Sequence, residues 1–193
     1  SEIENLYVNV ELYKVEFPGT KDENLIKVEG DIKRNFIVTP TKLVVPPGDR
    51  KLVRFLNISG LADIESVYRV NFTPVSKPQE VNYDPIKIDG KEIRTGVQVV
   101  IAYQVLVLVS PKDPKVDLSV TREGQIVTLK NQGTTNVLLF DGKQCHPVNT
   151  SECQDLTSFR IYPENTKSLE LPYDTGFTIR TRSLNGIKQT VFD

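Results

Sequence analysis

The sequence has few of the residues and motifs from which enzyme active sites are built. Its 193 residues include a single histidine, His146, so Ser/His or Cys/His nucleophilic catalysis has no plausible orienting group. No glycine-rich phosphate loop of the GxGxxG or GxxxxGK type occurs. We therefore expect a protein that is not an enzyme and that carries no cofactor.

Long hydrophobic runs and an excess of charge of one sign are also missing. No stretch of about 18 apolar residues occurs, so we expect no segment inserted in a membrane. The 24 Lys and Arg residues nearly balance the 25 Asp and Glu residues, whereas a nucleic-acid surface usually has a basic excess or a basic cluster. We therefore expect no nucleic-acid partner.

Cysteine is scarce, with Cys145 and Cys153 as the two examples. They enclose seven residues rich in Pro, Asn, Thr and Ser, a spacing that suits a disulfide at the tip of a hairpin. The alternative is a pair of free, semi-buried thiols in a cytosolic protein. The disulfide interpretation predicts an oxidising compartment. No metal site is expected, because His146 beside Cys145 lacks further ligands at useful spacing.

Strand patterns run through almost the whole chain. Residues Leu6 to Val15 alternate apolar and polar side chains, the period-two signature of a half-buried strand. Further short runs of strand formers follow at intervals of about ten residues, with proline and glycine turns between them. No segment shows a helical period with caps. This pattern predicts an all-β protein built of β-sandwiches.

The segment Pro111-Lys112-Asp113-Pro114 is the predicted domain boundary. Its two prolines restrict the backbone and favour a stiff bend at this point of the chain. We therefore predict two domains, residues 1–110 and residues 111–193.

One predicted strand, Val97 to Val109, is abnormally long and apolar. Its thirteen residues include two polar side chains, Gln98 and Gln104, and every odd-numbered position is apolar. A central strand buried on both faces explains the second half. The first half, with one apolar row, is typical of an exposed edge strand, which proteins normally suppress with charge or proline. Such an edge is tolerated where pairing with another chain is the function.

Several segments together resemble the periplasmic chaperones of the chaperone–usher pilus-assembly pathway. The resemblance covers about residues 5–193 and rests on the order and spacing of its motifs. The motifs are Val38-Thr39-Pro40, LVVPPG from Leu43 to Gly48, KLVRF from Lys51 to Phe55, Glu65 to Phe72, and the long strand that ends at Pro111. The cysteine pair, followed by Tyr162-Pro163, is similar to the alternate, colonisation-factor type of the family.

The resemblance implies a periplasmic protein of two immunoglobulin-like β-sandwich domains in a boomerang arrangement. Chaperones of this family lend the long strand to a pilin that lacks its own last strand, and they deliver the pilin to an outer-membrane usher. Counted back from Pro111, this donor-strand role falls on Val97, Val99 and Ile101, with Tyr103 as a fourth candidate. The same apolar row predicts self-association of the free protein, or cover by the preceding loop.

Two features depart from the better-studied branch of the family. The long-strand lysine that binds the pilin carboxylate in that branch corresponds here to Leu106. The first-strand arginine has no match, because Leu6 to Val15 resembles the family's third strand. We therefore expect the first strands of domain 1 to be absent from this chain. Arg69 is the candidate substitute anchor, and a solvated or interdomain arginine is the alternative interpretation.

An interdomain ion pair usual in the family should involve Glu65. Its expected partner position on the long strand is Ser110, which carries no charge. Arg54 is the remaining candidate partner, so we expect Glu65 to be structural.

The main alternative is a secreted two-domain adhesin or pilus subunit with an immunoglobulin-like fold. A polymerising pilin needs an N-terminal extension of alternating apolar residues, which Ser1 to Asn5 does not provide. A cell-surface immunoglobulin tandem usually has an inter-sheet cysteine pair and a buried tryptophan. This chain has a local cysteine pair and no tryptophan.

Overall fold

Strands account for all the regular secondary structure in the described part of the chain. The computed structural model describes residues 5–29, 35–75, 86–88, 91–93 and 99–192. The first strands are β1 (Leu6–Glu16), β2 (Asn24–Lys27), β3 (Phe36–Thr39), β4 (Lys42–Val45), β5 (Arg54–Asn57), β6 (Ser66–Pro74), β7 (Ile86–Ile88), β8 (Lys91–Ile93) and β9 (Tyr103–Val109). The predicted all-β class is confirmed.

The remaining strands follow residue 117. They are β10 (Leu118–Glu123), β11 (Ile126–Asn131), β12 (Val137–Cys145), β13 (Cys153–Leu156), β14 (Phe159–Ile161), β15 (Thr166–Glu170), β16 (Phe177–Ser183) and β17 (Gly186–Phe192). Within the ranges described, no helix is long and apolar enough to cross a bilayer.

The chain divides into two compact units. The first contains residues 1–13, 27–59 and 69–106, and the second contains residues 14–26, 60–68 and 107–193. Strands β1, β6 and β9 therefore contribute residues to both units. The domain boundary at residues 110 and 111 stays a prediction.

The buried residues of the first unit follow the period-two pattern of its strands. In β1, Val8, Val10 and Leu12 are buried and alternate with more exposed neighbours, because successive side chains of a strand point to opposite faces. Phe36 is likewise buried in β3, which pairs antiparallel with β5. Its ring stacks on Phe55 of β5 with 6.1 Å between ring centroids. The alternation predicted for Leu6 to Val15 is thus the pattern that fills this core.

Two sheets enclose the core of the second unit. One has the strand order β10-β11-β15, and the other has the order β13-β12-β16-β17 with β14 also paired to β12. Side chains from both sheets meet in one buried cluster: Val127, Leu129, Val137, Leu139, Leu156, Ile161, Leu171, Phe177 and Ile179. This is the β-sandwich that the sequence predicts.

Candidate functional site

Strand β9 lies at the end of a sheet whose strand order is β2-β1-β6-β9, with β4 also paired to β1. Its neighbour is β6, and no other described strand pairs with it. The predicted strand Val97 to Val109 is shorter here, because the described part of it is strand only over Tyr103–Val109. Residues 99–102 lie outside any strand, and Val97 and Gln98 lie outside the described residues.

The apolar row predicted to bind a partner is open to solvent where the structure describes it. Val99 is 81% exposed, Ile101 is 63% exposed and Tyr103 is 67% exposed. An apolar edge of this kind invites pairing with another chain. The geometry therefore leaves three of the four predicted binding residues accessible to a partner strand.

The far end of β9 has a different environment. Leu108 is partly buried and packs against the buried residues Val15, Val67 and Tyr162. Along the strand, exposed residues from Tyr103 to Leu106 give way to partly buried ones from Val107 to Val109. One end of β9 thus serves the fold while the other is exposed.

A polar side-chain cluster links β9 to β6. The Arg69 guanidinium Nη1 donates a hydrogen bond to Gln104 Oε1 over 3.0 Å. Gln104 Nε2 in turn donates to Asn71 Oδ1 over 2.7 Å. Arg69 is partly buried, and it lies on the strand that neighbours the long one. The cluster fixes the Gln104 side chain at two points on β6.

Glu65 has a different partner from the ones that the sequence suggested. It is buried, and its Oε2 accepts a hydrogen bond of 2.6 Å from Asn136 Nδ2. Asn136 Oδ1 accepts a hydrogen bond from Arg160. Burial raises the pKa of Glu65, although the Asn136 hydrogen bonds and the Arg160 charge act in the opposite direction. All three residues belong to the second unit, so Glu65 is part of its internal packing.

The predicted disulfide between Cys145 and Cys153 is confirmed. It joins the facing ends of β12 and β13, which form an antiparallel hairpin. In the loop, the His146 backbone N–H donates to the Glu152 carbonyl over 2.8 Å, and the His146 Nδ1 accepts hydrogen bonds from two loop N–H groups. His146 is therefore a turn-forming residue in this hairpin.

Comparison with solved structures places the fold among fimbrial chaperones. The crystal structure of the class 5 fimbriae chaperone CfaA matches all of this chain and 88% of its own, with a TM-score of 0.63 and 22% sequence identity. A structure of the Salmonella enterica SafA pilin in complex with the SafB chaperone matches 99% of this chain and 85% of its own, with a TM-score of 0.63 and 14% identity. The predicted fold of immunoglobulin-like domains is confirmed.

In sequence, the chain is 31% identical to a CS1 fimbrial subunit of Escherichia coli over 179 residues, which are 88% of this chain and 68% of the relative. No family model matches the chain. The chain belongs to the chaperone–usher family of fimbrial chaperones. The word subunit in the relative's name does not favour the adhesin or pilus-subunit alternative, because the matched folds are those of chaperones.

Sequence reasoning about this fimbrial chaperone missed two of the three members of the polar cluster on β6 and β9. Gln104 interrupts an apolar run, and that interruption was the available signal for a fixed polar contact at this point. Asn71 has no comparable signal, because polar and apolar residues alternate along its strand. The contact became visible only once β6 and β9 were known to be neighbours.

Proposed function

We propose that the chain is a non-enzymatic periplasmic chaperone that binds pilin subunits by donor-strand complementation and delivers them to an outer-membrane usher. The observation that carries the proposal is the exposed apolar row at Val99, Ile101 and Tyr103, beside an edge strand. Val97 continues the same row in sequence. An incoming groove that lacks one strand would cover this row and gain the missing strand.

The expected gain in free energy suits a stable complex. Each Val or Ile side chain that is fully buried contributes about 1.5–3 kcal/mol. The backbone of residues 99–102 lies in no strand of the free protein, so its N–H and C=O groups can form a hydrogen-bond ladder with a partner. Burial of the row also covers the exposed core of the bound pilin. Both partners then lose an aggregation-prone surface.

Arg69 is the proposed anchor for the carboxylate at the end of the pilin. A guanidinium forms paired, charge-assisted hydrogen bonds with a carboxylate, which the Leu106 side chain cannot do. Gln104 already holds one edge of the Arg69 guanidinium, and this contact restricts its orientation before a pilin arrives. The anchor is therefore oriented by the chaperone's own fold.

Two further observations support the partner and the compartment. The SafB chaperone, which shares the fold, is seen in complex with the SafA pilin. The disulfide between Cys145 and Cys153 fits an oxidising compartment such as the periplasm. Transfer to an usher and self-association of the free chain stay predictions.

Two adjacent valines give a matched test of the donor-strand proposal. Val99 belongs to the proposed binding row, whereas Val100 should face away from the groove because side chains alternate along a strand. We expect Val99→Ala to weaken pilin binding by about 1.5–3 kcal/mol, or roughly tenfold to a hundredfold. Val100→Ala should change the affinity little. Calorimetry or surface plasmon resonance with a pilin that co-purifies with the wild type measures both.

Thermal unfolding of the two variants serves as the control, since both must be folded for the comparison to count. Equal losses of affinity for Val99→Ala and Val100→Ala, or no loss for either, would contradict the donor-strand assignment.

A further inference from the structure

Tyr103 differs from the other exposed members of the apolar row. It is aromatic and carries a hydroxyl group, whereas Val99 and Ile101 are purely aliphatic. In the free chain its side chain is 67% exposed, so no core position explains its size. A tyrosine that becomes buried in an interface usually needs a hydrogen-bond partner for its hydroxyl.

Tyr103 is also the member of this row that the fold holds in place. It is the first residue of β9, while residues 99–102 lie outside the strand. The next residue, Gln104, is fixed to β6 by its hydrogen bonds with Arg69 and Asn71. Ordering the backbone at residue 103 therefore costs little on binding, because the strand exists beforehand.

We propose that Tyr103 determines which pilins this chaperone accepts. The groove of an accepted pilin has a pocket at the Tyr103 position that is wide enough for an aromatic ring. At the floor of that pocket lies a polar group that pairs with the phenolic hydroxyl, whereas the pockets for Val99 and Ile101 are aliphatic. This inference rests on the proposed donor-strand function, and it adds the chemistry of one subsite.

The physical basis is the asymmetry between making and missing a buried hydrogen bond. A pocket with a suitable polar group gains a modest amount from the Tyr103 hydroxyl. A purely aliphatic pocket buries the hydroxyl without a partner and incurs its full desolvation cost. The same asymmetry lets a site that hydrogen-bonds a hydroxyl reject an analogue that lacks it. Tyr103 thus selects against pilins with an aliphatic pocket.

The test removes the hydroxyl and keeps the ring. Binding of the pilin that co-purifies with the wild-type chain, identified by mass spectrometry, is measured for wild type, Tyr103→Phe and Ile101→Ala. We expect Tyr103→Phe to weaken binding about tenfold. Ile101→Ala should weaken it by more than about tenfold, because it empties an aliphatic pocket. Tyr103→Phe should unfold at the wild-type temperature, since the side chain is exposed in the free protein.

The outcomes separate this inference from the proposed function. Wild-type affinity for Tyr103→Phe together with a loss for Ile101→Ala overturns the polar pocket and leaves the donor strand in place. Wild-type affinity for both variants overturns the donor-strand function and the inference with it.

Discussion

Arg69 combines two tasks at the residue scale: it holds Gln104 on the neighbouring strand, and it is the proposed contact for a pilin carboxylate. The two tasks can be separated, because Gln104→Ala removes the link to β9 and keeps the guanidinium. Arg69→Ala removes both. A buried, hydrogen-bonded charge pair typically loses about 2–5 kcal/mol when one partner is truncated.

We therefore expect Arg69→Ala to weaken pilin binding by roughly thirtyfold or more, and Gln104→Ala to weaken it much less. The measurement is the affinity of both variants for a pilin with a free C-terminus and for the same pilin with an amidated C-terminus. Amidation removes the negative charge, so it should reduce the Arg69→Ala loss. An Arg69→Ala loss no greater than the Gln104→Ala loss, and independent of amidation, would leave Arg69 as a purely structural residue.

Glu65 gives a pH-dependent prediction. Burial raises its pKa above the ordinary value of 4.5, so the folded chain holds this proton more tightly than the unfolded chain does. Its contribution to the free energy of unfolding is therefore largest below the unfolded pKa and is lost as the pH rises through the folded pKa. Glu65→Gln removes the titration and keeps an acceptor for Asn136 Nδ2.

We expect the difference in free energy of unfolding, wild type minus Glu65→Gln, to fall as the pH rises above 4.5. Urea unfolding at a series of pH values measures this difference. The exposed Glu170 offers a control, because Glu170→Gln makes the same change in net charge. A wild-type advantage that instead grows with pH would mean that the Asn136 hydrogen bonds and the Arg160 charge outweigh burial.

The contacts that sequence reasoning found and missed differ in their separation along the chain. Cys145 and Cys153 are 8 positions apart, so their pairing could be predicted from local spacing. Glu65 and Asn136 are 71 positions apart, and Arg69 and Gln104 are 35 positions apart. Such pairs depend on which strands become neighbours. A single sequence does not encode that order locally, which is why the suggested partners of Glu65 were not found there.

At the scale of elements, strand β9 shows why its burial was only half predictable. Its period-two pattern indicates which side chains share a face, but the pattern does not indicate where pairing to a neighbour begins. The strand begins at Tyr103, opposite β6, and the apolar residues before it continue without a described partner. The sequence therefore predicted the exposed row correctly as a composition and placed the start of the strand too early.

The β12–β13 hairpin carries the prediction at this scale. Closing a loop of about nine residues with a disulfide should stabilise the fold by about 2–3 kcal/mol, chiefly by limiting the unfolded chain. Replacing both residues, Cys145→Ser with Cys153→Ser, should lower the free energy of unfolding by that amount. Denaturant titration gives the value, and non-reducing peptide mapping of periplasmic protein should recover the linked peptides. Finding both thiols freely alkylated in native protein would contradict the oxidising-compartment proposal.

At the scale of the whole molecule, the all-β class and the β-sandwich were predictable because alternation and turn chemistry repeat along the chain. The core of the second unit draws on side chains from both of its sheets, as a sandwich requires. Function was predictable to the extent that one segment broke the usual rule against exposed apolar edges. The chain's family relationship then suggests the partner proposed for that segment, a pilin that lacks a strand.

The central claim is that residues from Val99 to Tyr103 become a strand in the bound pilin. Amide hydrogen exchange, measured on the chaperone alone and in complex with a co-purifying pilin, tests it most directly. The account predicts fast exchange at residues 99–102 in the free protein, because they lie in no strand, and strong protection of the same residues in the complex. A stable complex in which residues 99–102 exchange as fast as in the free chain, with protection elsewhere, would contradict donor-strand complementation by this segment.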